Sequence, residues 1–447
     1  MATTYKKNAR NVYKVPLYAQ FWAWWGLVFG LAVLSLLIGF VLTSKIVQFG
    51  QFGLWSLVAI LTVWRIFKLI KVIRLAGSFS RYRVENRAKK SVTKSLLATM
   101  TLNRLQDTPF ISVPDVVVCF ADDHIKVNIE KLAGMYDIDR LSEDVSSSFR
   151  GKLEPYAVTS ALITTDGNEY RLVLEDVGTD KTWRPATLEE MKQPSHVLKL
   201  QEGLTINLAD KPHLFFYGKS GSGKSTSLIS VLVQALMWQG AEIYIGDPKN
   251  EFNALSEFYP TDRIAVEIAD VLSMLEHVCD LIGERQKLVA DGVRKHQKMG
   301  LRAYDLGIAP VVVMIDEVSA LMAGMDNPQK KEFLSLITQI AMKGRAVSCF
   351  LIFGNQSALA EKSISTDIRG QFATRVVLGK VGGNGEEYRM VFGEVATKGS
   401  VERFKGYYLT DGLEQPQLFA VPDLHKHGLN DLKVIKRAFE IGQEIAL

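Results

Sequence analysis

Residues 218–225 read Gly-Lys-Ser-Gly-Ser-Gly-Lys-Ser, a G-x-x-x-x-G-K-[ST] pattern without a mismatch. An apolar run, Leu214–Tyr217, leads in, and a run able to form a helix, Thr226–Trp238, leads out. A strand–loop–helix of this kind aims successive backbone N–H groups and a helix N-terminus at one anionic spot. Gly218, Lys219, Ser220, Gly221, Ser222, Gly223, Lys224, Ser225 and Thr226 are therefore the candidate nucleotide-binding residues. Lys224 would reach the β- and γ-phosphates of ATP, and the Ser225 hydroxyl would ligand Mg²⁺.

From residue 200 onward strands and helices alternate. Expected strands are Leu214–Tyr217, Ala241–Gly246, Val311–Ile315, Val347–Gly354 and Thr374–Leu378, most of them continuous apolar runs. Such runs suit a parallel sheet covered by helices on both faces. Thr226–Trp238, Val271–Val289 and Lys330–Met342 are the expected helices. The run Val311–Ile315 ends in Asp316-Glu317. Asp316 is the candidate Mg²⁺ partner of Ser225, and Glu317 the candidate base that polarises the attacking water. A glutamate beside the metal aspartate marks hydrolysing motors rather than kinases or small GTPases. Cys349–Gly354 likewise ends in polar residues, Asn355 and Gln356, and Gln356 is the candidate reporter on the γ-phosphate. A motor site shared between subunits also needs a cation from the neighbour. Arg345, Arg369 and Arg375 all stand near expected sheet ends, and spacing does not choose among them. Arg345 joins Lys224, Glu317 and Gln356 in the candidate catalytic set.

The rest of the chain is organised differently. Of 447 residues, 47% are hydrophobic, with much of the excess near the N-terminus. No charge occurs from Val15 to Ser44, 30 residues, or from Ile46 to Trp64, 19 residues. A bilayer core needs about 20 apolar residues, so residues 1–75 read as a two-helix transmembrane hairpin rather than a cleaved signal peptide. The first 90 residues hold fourteen Lys/Arg against Glu85 alone. Lys6, Lys7, Arg10, Lys14, Arg65, Lys68, Lys71 and Arg74 flank the hairpin, which predicts a cell-membrane protein with both termini cytoplasmic. Residues 76–108 read as a linker and helix, and 109–198 as a small α+β domain. The latter has strand-like runs Val113–Phe120, Ile125–Ile129, Tyr156–Thr164 and Tyr170–Glu175 and a helix over Ile138–Phe149. Asp122, Asp123 and His124 read as a polar hairpin turn rather than a metal site. Residues 199–425 form the nucleotide domain and 426–447 a C-terminal helix and tail. Cys119, Cys279 and Cys349 show no metal-ligand spacing and read as buried thiols of a reducing cytosol.

Taken in order, the phosphate loop, Asp247-Pro248-Lys249, Ile315-Asp316-Glu317, Gly344-Arg345-Ala346, Gln356 and Ile368–Arg375 resemble the motifs of FtsK/SpoIIIE-type ATPases. The resemblance covers about half the chain. It implies a RecA-like P-loop core, a hexameric ring and DNA threaded through a central pore. Within the family the chain is most similar to the short membrane-anchored coupling ATPases of Gram-positive conjugative elements. That implies DNA, the cytoplasmic membrane, a relaxase and transfer-channel proteins as partners. Residues after Pro422 suffice for one helix, Leu432–Ile441, and not for the winged-helix domain of chromosome-partitioning members. Two places depart from the conjugative group: Arg345-Ala346-Val347-Ser348 stands where Arg-Ala-Ala-Gly is usual, and Asn355-Gln356-Ser357 replaces Gln-Arg-Pro.

With +13 on the first 90 residues and +5 on the whole chain, the remaining 357 residues carry −8, which argues against a broad DNA-binding face. Arg285, Lys287, Arg294, Lys295, Lys298 and Arg302 form a local basic segment that reads either as a solvated helical face or as a DNA-facing surface. The expected function is ATP-driven DNA translocation. A protein-secretion ATPase of the same fold is the alternative, and intact Lys224, Asp316 and Glu317 argue against a non-hydrolysing scaffold.

Overall fold

The structure, a computed structural model, describes residues 3–6, 17–41, 45–104, 110–121, 124–131, 138–149, 153–356, 366–379, 390–392, 396–397 and 403–444. The chain divides into two compact units, Met1–Asp176 and Val177–Leu447.

In the first unit, long helices run over Leu17–Val41, Lys45–Ala76 and Phe79–Arg104. Among the described residues no helix is long and apolar enough to cross a membrane, which overturns the expected two-span hairpin and the membrane location built on it. In the first helix the described side chains run only from about Trp22 to Ser35. In the second, Gly50, Gln51 and Gly53 dilute the apolar stretch, and the same helix passes without a break into Arg65, Lys68, Lys71 and Arg74. Lys7, Arg10 and Lys14, which flanked the expected hairpin, lie outside the described residues, as do Asp122, Asp123 and Ser357.

The first unit also holds an antiparallel sheet in which Tyr156–Ile163, Glu169–Asp176, His124–Glu130 and Val116–Phe120 pair in that spatial order. Its hairpin turn follows the sequence. Gly167 sits at φ 71, and the Asp166 carboxylate accepts from the Asn168 N–H at 3.2 Å. Alternation puts Val116 and Val118 inward against Val92 and Leu96 of the helix Phe79–Arg104, and against Leu141 and Val145 of Ile138–Ser148. The same alternation turns Cys119 outward, so it is exposed rather than a buried thiol; Cys279 is half-buried and Cys349 buried.

The second unit is built on an eight-stranded sheet. Its spatial order is Ile264–Ala265, Glu242–Gly246, Val311–Ile315, Cys349–Asn355, Leu214–Gly218, Thr374–Leu378, Lys405–Thr410, Gln417–Ala420. The first six are parallel and the last two antiparallel. The central apolar runs are two-sided by alternation. Val311, Val313 and Ile315 join Val271, Leu275, Phe333 and Ile337 on one face. Val312 and Met314 join Leu228, Leu232 and Val233 on the other. At about 25 cal/mol per Å² of apolar surface, burial on both faces makes this sheet the stability core of the unit. Trp183, Leu198 and Leu200 belong to the second of those clusters.

One boundary differs from the sequence reading. The expected strand began at Val347, but the helix Asn327–Val347 runs through that residue and the strand starts at Cys349. Ser348 ends the helix in the left-handed region, φ 56, and its hydroxyl meets His196 Nε2 at 3.0 Å. Local apolarity could not separate the last helical turn from the strand that follows it.

Candidate active site

Parallel strands end together, and here the register sets Gly246, Ile315 and Phe353 side by side, with Asn355 opposite Tyr217. The phosphate loop, the acid pair and Asn355-Gln356 therefore converge on the carboxyl edge of the sheet. The strand Cys349–Asn355 lies between the phosphate-loop strand and the acid-pair strand, an order that no local pattern encodes.

The loop is shaped by its glycines at two places. Gly221 and Gly223 take φ 76 and 103, and a Cβ on Gly223 would meet Phe404 and Val421 at 2.8 Å. The helix starts at Lys224 and runs to Leu236, two residues earlier than expected, with Gly223 at its N-cap. Lys219, Ser220 and Gly221 are exposed, Ser222 and Lys224 buried, and Ser225 and Thr226 half-buried. An additional cation reaches the loop: Arg403 Nε donates to the Gly221 carbonyl at 3.0 Å while its guanidinium lies 4.8 Å from the Phe404 ring centroid. Nothing in local spacing singled out Arg403, because it reaches the loop only through the antiparallel edge of the sheet.

Two buried acids face the loop lysine. Lys224 Nζ meets Asp316 Oδ1 and lies 3.7 Å from Glu317 Oε2. Burial pushes the Lys224 ammonium down to about 8, against the pull of Glu317. Glu317 holds a left-handed backbone, φ 68 and ψ 62, a strained conformation for a non-glycine residue. Its N–H donates to the Gly354 carbonyl at 3.0 Å, which ties it to the neighbouring strand. Glu317 Oε1 accepts from the Ser319 hydroxyl at 2.8 Å and the Gln356 N–H at 3.0 Å. Oε2 accepts from Lys249 Nζ at 2.9 Å. Burial raises the Glu317 carboxyl, but the bonds from Lys249, Ser319 and Gln356 outweigh it and the group lies below the ordinary glutamate value.

Gln356 thus reaches the acid through its main chain, its side chain being exposed. Asn355, 1% exposed, accepts from the Ser319 N–H at 3.2 Å. The candidate arginines are elsewhere. Arg345, in the last turn of Asn327–Val347, approaches the Ala209 carbonyl at 3.4 Å at the amino edge of the sheet. Arg375 opens its strand at that same edge and donates to the Val391 carbonyl at 2.8 Å. Arg369 lies in the short helix Thr366–Gly370.

The basic segment is partly spent inside the protein. Arg285 is buried and donates to the Ala309 and Val347 carbonyls at 2.7 and 3.2 Å. Arg302 bridges Asp210 and Asp305, and Arg294 pairs with Asp291. Lys287, Lys295 and Lys298 are exposed.

The residues present fit a nucleotide with Mg²⁺. Asp316 Oδ2 and Ser222 Oγ are buried without a hydrogen-bond partner beside the loop. Ser222 lies in the phosphate cradle itself, and the Asp316 carboxylate with the Ser225 hydroxyl would hold Mg²⁺, whose other oxygens would come from phosphate and water. Among the described residues no group of three or more His, Cys, Asp or Glu forms a protein cage for a metal.

Residues 174–359 match the model of the FtsK/SpoIIIE family. The chain is 30% identical over 210 residues to the FtsK domain-containing protein YdcQ of Bacillus subtilis, covering 47% of this chain and 42% of that protein. It is 27% identical over 249 residues to the ESX-3 secretion system protein EccC3 of Mycobacterium tuberculosis, covering 49% of this chain and 18% of that one. The matched stretch thus spans less than half the length of either relative. A solved structure of the pCW3 conjugation coupling protein TcpA with ATPγS aligns with a TM-score of 0.49 at 15% identity, over 78% of this chain and 99% of that chain.

Proposed function

Starting from the FtsK/SpoIIIE domain that this chain carries, we propose that it is an ATP-driven DNA translocase acting as a coupling ATPase in conjugative transfer. The observation that carries hydrolysis is the Glu317 carboxylate, buried, ionised and anchored at the end of the strand beside Lys224. In this reading the phosphate loop holds the ATP phosphates. Ser225 and Asp316 hold Mg²⁺, which would neutralise charge on the phosphates. Lys224 leaves the acids for the phosphates, and Glu317 takes a proton from the attacking water. Several copies form a ring, a hexamer by family likeness, around the DNA. A relaxase and transfer-channel proteins would deliver and receive that DNA.

The likeness to EccC3 supports a second reading, a secretion ATPase that engages polypeptide. ATPase assays on the full chain separate the two. Duplex and single-stranded DNA should each be tested, and at least one should raise turnover severalfold. Stimulation by polypeptide with no response to DNA would reject translocation of DNA. The variant Glu317→Gln should bind ATP yet turn over about 100-fold more slowly or less, and wild-type turnover would remove Glu317 as the base.

A further inference from the structure

An ionised carboxylate offers about four acceptor sites, two on each oxygen. Three are filled by hydrogen bonds at Glu317. Oε1 takes the Ser319 hydroxyl and the Gln356 N–H, at 2.8 and 3.0 Å. Oε2 takes Lys249 Nζ at 2.9 Å and faces Lys224 Nζ at 3.7 Å. The fourth site, on Oε2, has the Lys224 ammonium across from it at ion-pair rather than hydrogen-bond distance. The donors differ in how firmly they are held. Ser319 lies in the helix Val318–Gly324 that follows the acid, and the Gln356 N–H belongs to backbone at the end of the adjacent strand. Lys224 is the one donor whose other partner in this reading is phosphate.

Lys249 is placed by a separate device. The Asp247 carboxylate, fully buried, accepts from the Glu251 and Phe252 N–H groups at 2.9 and 2.6 Å and closes the loop that carries Lys249. Asn250 completes the turn at φ 60. Pro248 limits the backbone before the lysine. The Lys249 side chain is 28% exposed, whereas Glu317 is 4% exposed, so the lysine enters the site from its rim.

We propose that Lys249 is a positioning residue for Glu317, which rests on Glu317 being the base as read above. Transfer of Lys224 to phosphate removes the ammonium that faces the open site on Oε2. Lys249 stays on Oε2 and fixes where its remaining lone pair points. The loop Asp247–Phe252 thus sets the direction of proton acceptance without touching nucleotide.

Steady-state ATPase kinetics and ATP binding on the full chain test this, using Lys249→Met, Lys249→Arg, Glu317→Gln and the double variant Lys249→Met/Glu317→Gln. Lys249→Met should lower kcat about tenfold and leave the ATP KM within about twofold, and Lys249→Arg should recover most of the loss. In the Glu317→Gln background Lys249→Met should add nothing, since its effect passes through that carboxylate. A raised KM with unchanged kcat, or full additivity in the double variant, would overturn the positioning role. If Glu317→Gln keeps wild-type turnover, the base assignment fails and the positioning role with it. Loss on Glu317→Gln with no effect of Lys249→Met defeats the Lys249 role alone. Should Lys249→Met misfold, a drop in thermal stability reveals it, and Lys249→Gln in the same series carries the measurement.

Discussion

The two edges of the second unit's sheet hold their buried ionisable groups differently. At the amino edge His213 and Arg285 close hydrogen bonds on the backbone. His213 Nε2 lies 2.9 Å from the Ala341 carbonyl, and its Nδ1 accepts from the Leu351 N–H at 2.9 Å, which defines a neutral ring with its proton on Nε2. Arg285 is likewise spent on the Ala309 and Val347 carbonyls. At the carboxyl edge the buried groups are charged, they pair with one another, and Asp316 Oδ2 and Ser222 Oγ are left over. What sets the carboxyl edge apart is that its buried ionised groups face one another, an arrangement that a charged ligand can redistribute.

That contrast breaks or sharpens at defined places. The largest effect is expected at Lys224→Ala. ATP turnover should fall at least about 100-fold, and the unliganded protein should lose about 3 kcal/mol because Asp316 and Glu317 are left as adjacent buried acids. Saturating ATP with Mg²⁺ should not restore turnover. Thermal unfolding and ATPase rates read both effects, and a variant as active as wild type would mean that the carboxyl edge is not the site.

Next is Gly344→Ala, which probes the scaffold edge. A Cβ there would overlap the Cys349 carbonyl oxygen, where the helix Asn327–Val347 turns back into its strand. Backbone cannot yield as a flexible side chain can, so a loss on the order of 2–3 kcal/mol is expected in chemical denaturation, with the nucleotide KM nearly unchanged. A shift in KM without a loss of stability would erase the distinction between the edges.

The smallest effect is in pH. Burial pushes His213 and His196 from 6.5 down to about 4, so both are neutral in the fold. Unfolded, each binds its proton near pH 6.5. Their contribution is complete above about pH 6.5, declines as pH falls from there to about 4, and is flat below that. Each histidine accounts for at most on the order of 3 kcal/mol across that window. Melting curves between pH 7 and 4 should therefore slope downward, and His213→Gln should flatten the slope. An unchanged slope would mean that His213 is not held neutral.

Much of the site could be read from the chain. Gly218–Ser225, the run Val311–Glu317 and the alternation after residue 200 are local patterns, and each follows from the geometry of a strand, a turn or a helix. Ser348, where the family resemblance leads one to expect glycine, is visible in the chain, but its reason is not. The position needs a left-handed backbone, and His196, 152 residues away in sequence, meets the serine hydroxyl there. The apolar N-terminal windows misled because hydropathy counts residues over a stretch. It does not register that a helix such as Lys45–Ala76 continues unbroken through its basic turns.

By itself the sequence determined that a phosphate loop opens a helix, that an acid pair closes a strand, and that the sheet is buried on both faces. Tertiary structure alone decided that the strand Cys349–Asn355 lies between them. It also decided that Lys249 holds Glu317, that Arg403 reaches the phosphate loop, and that Arg285 and Arg302 are used internally. The reason is physical. Periodicity records which face of an element is apolar, but strand order and the partner of a charged side chain depend on contacts between segments tens of residues apart, which no local period carries.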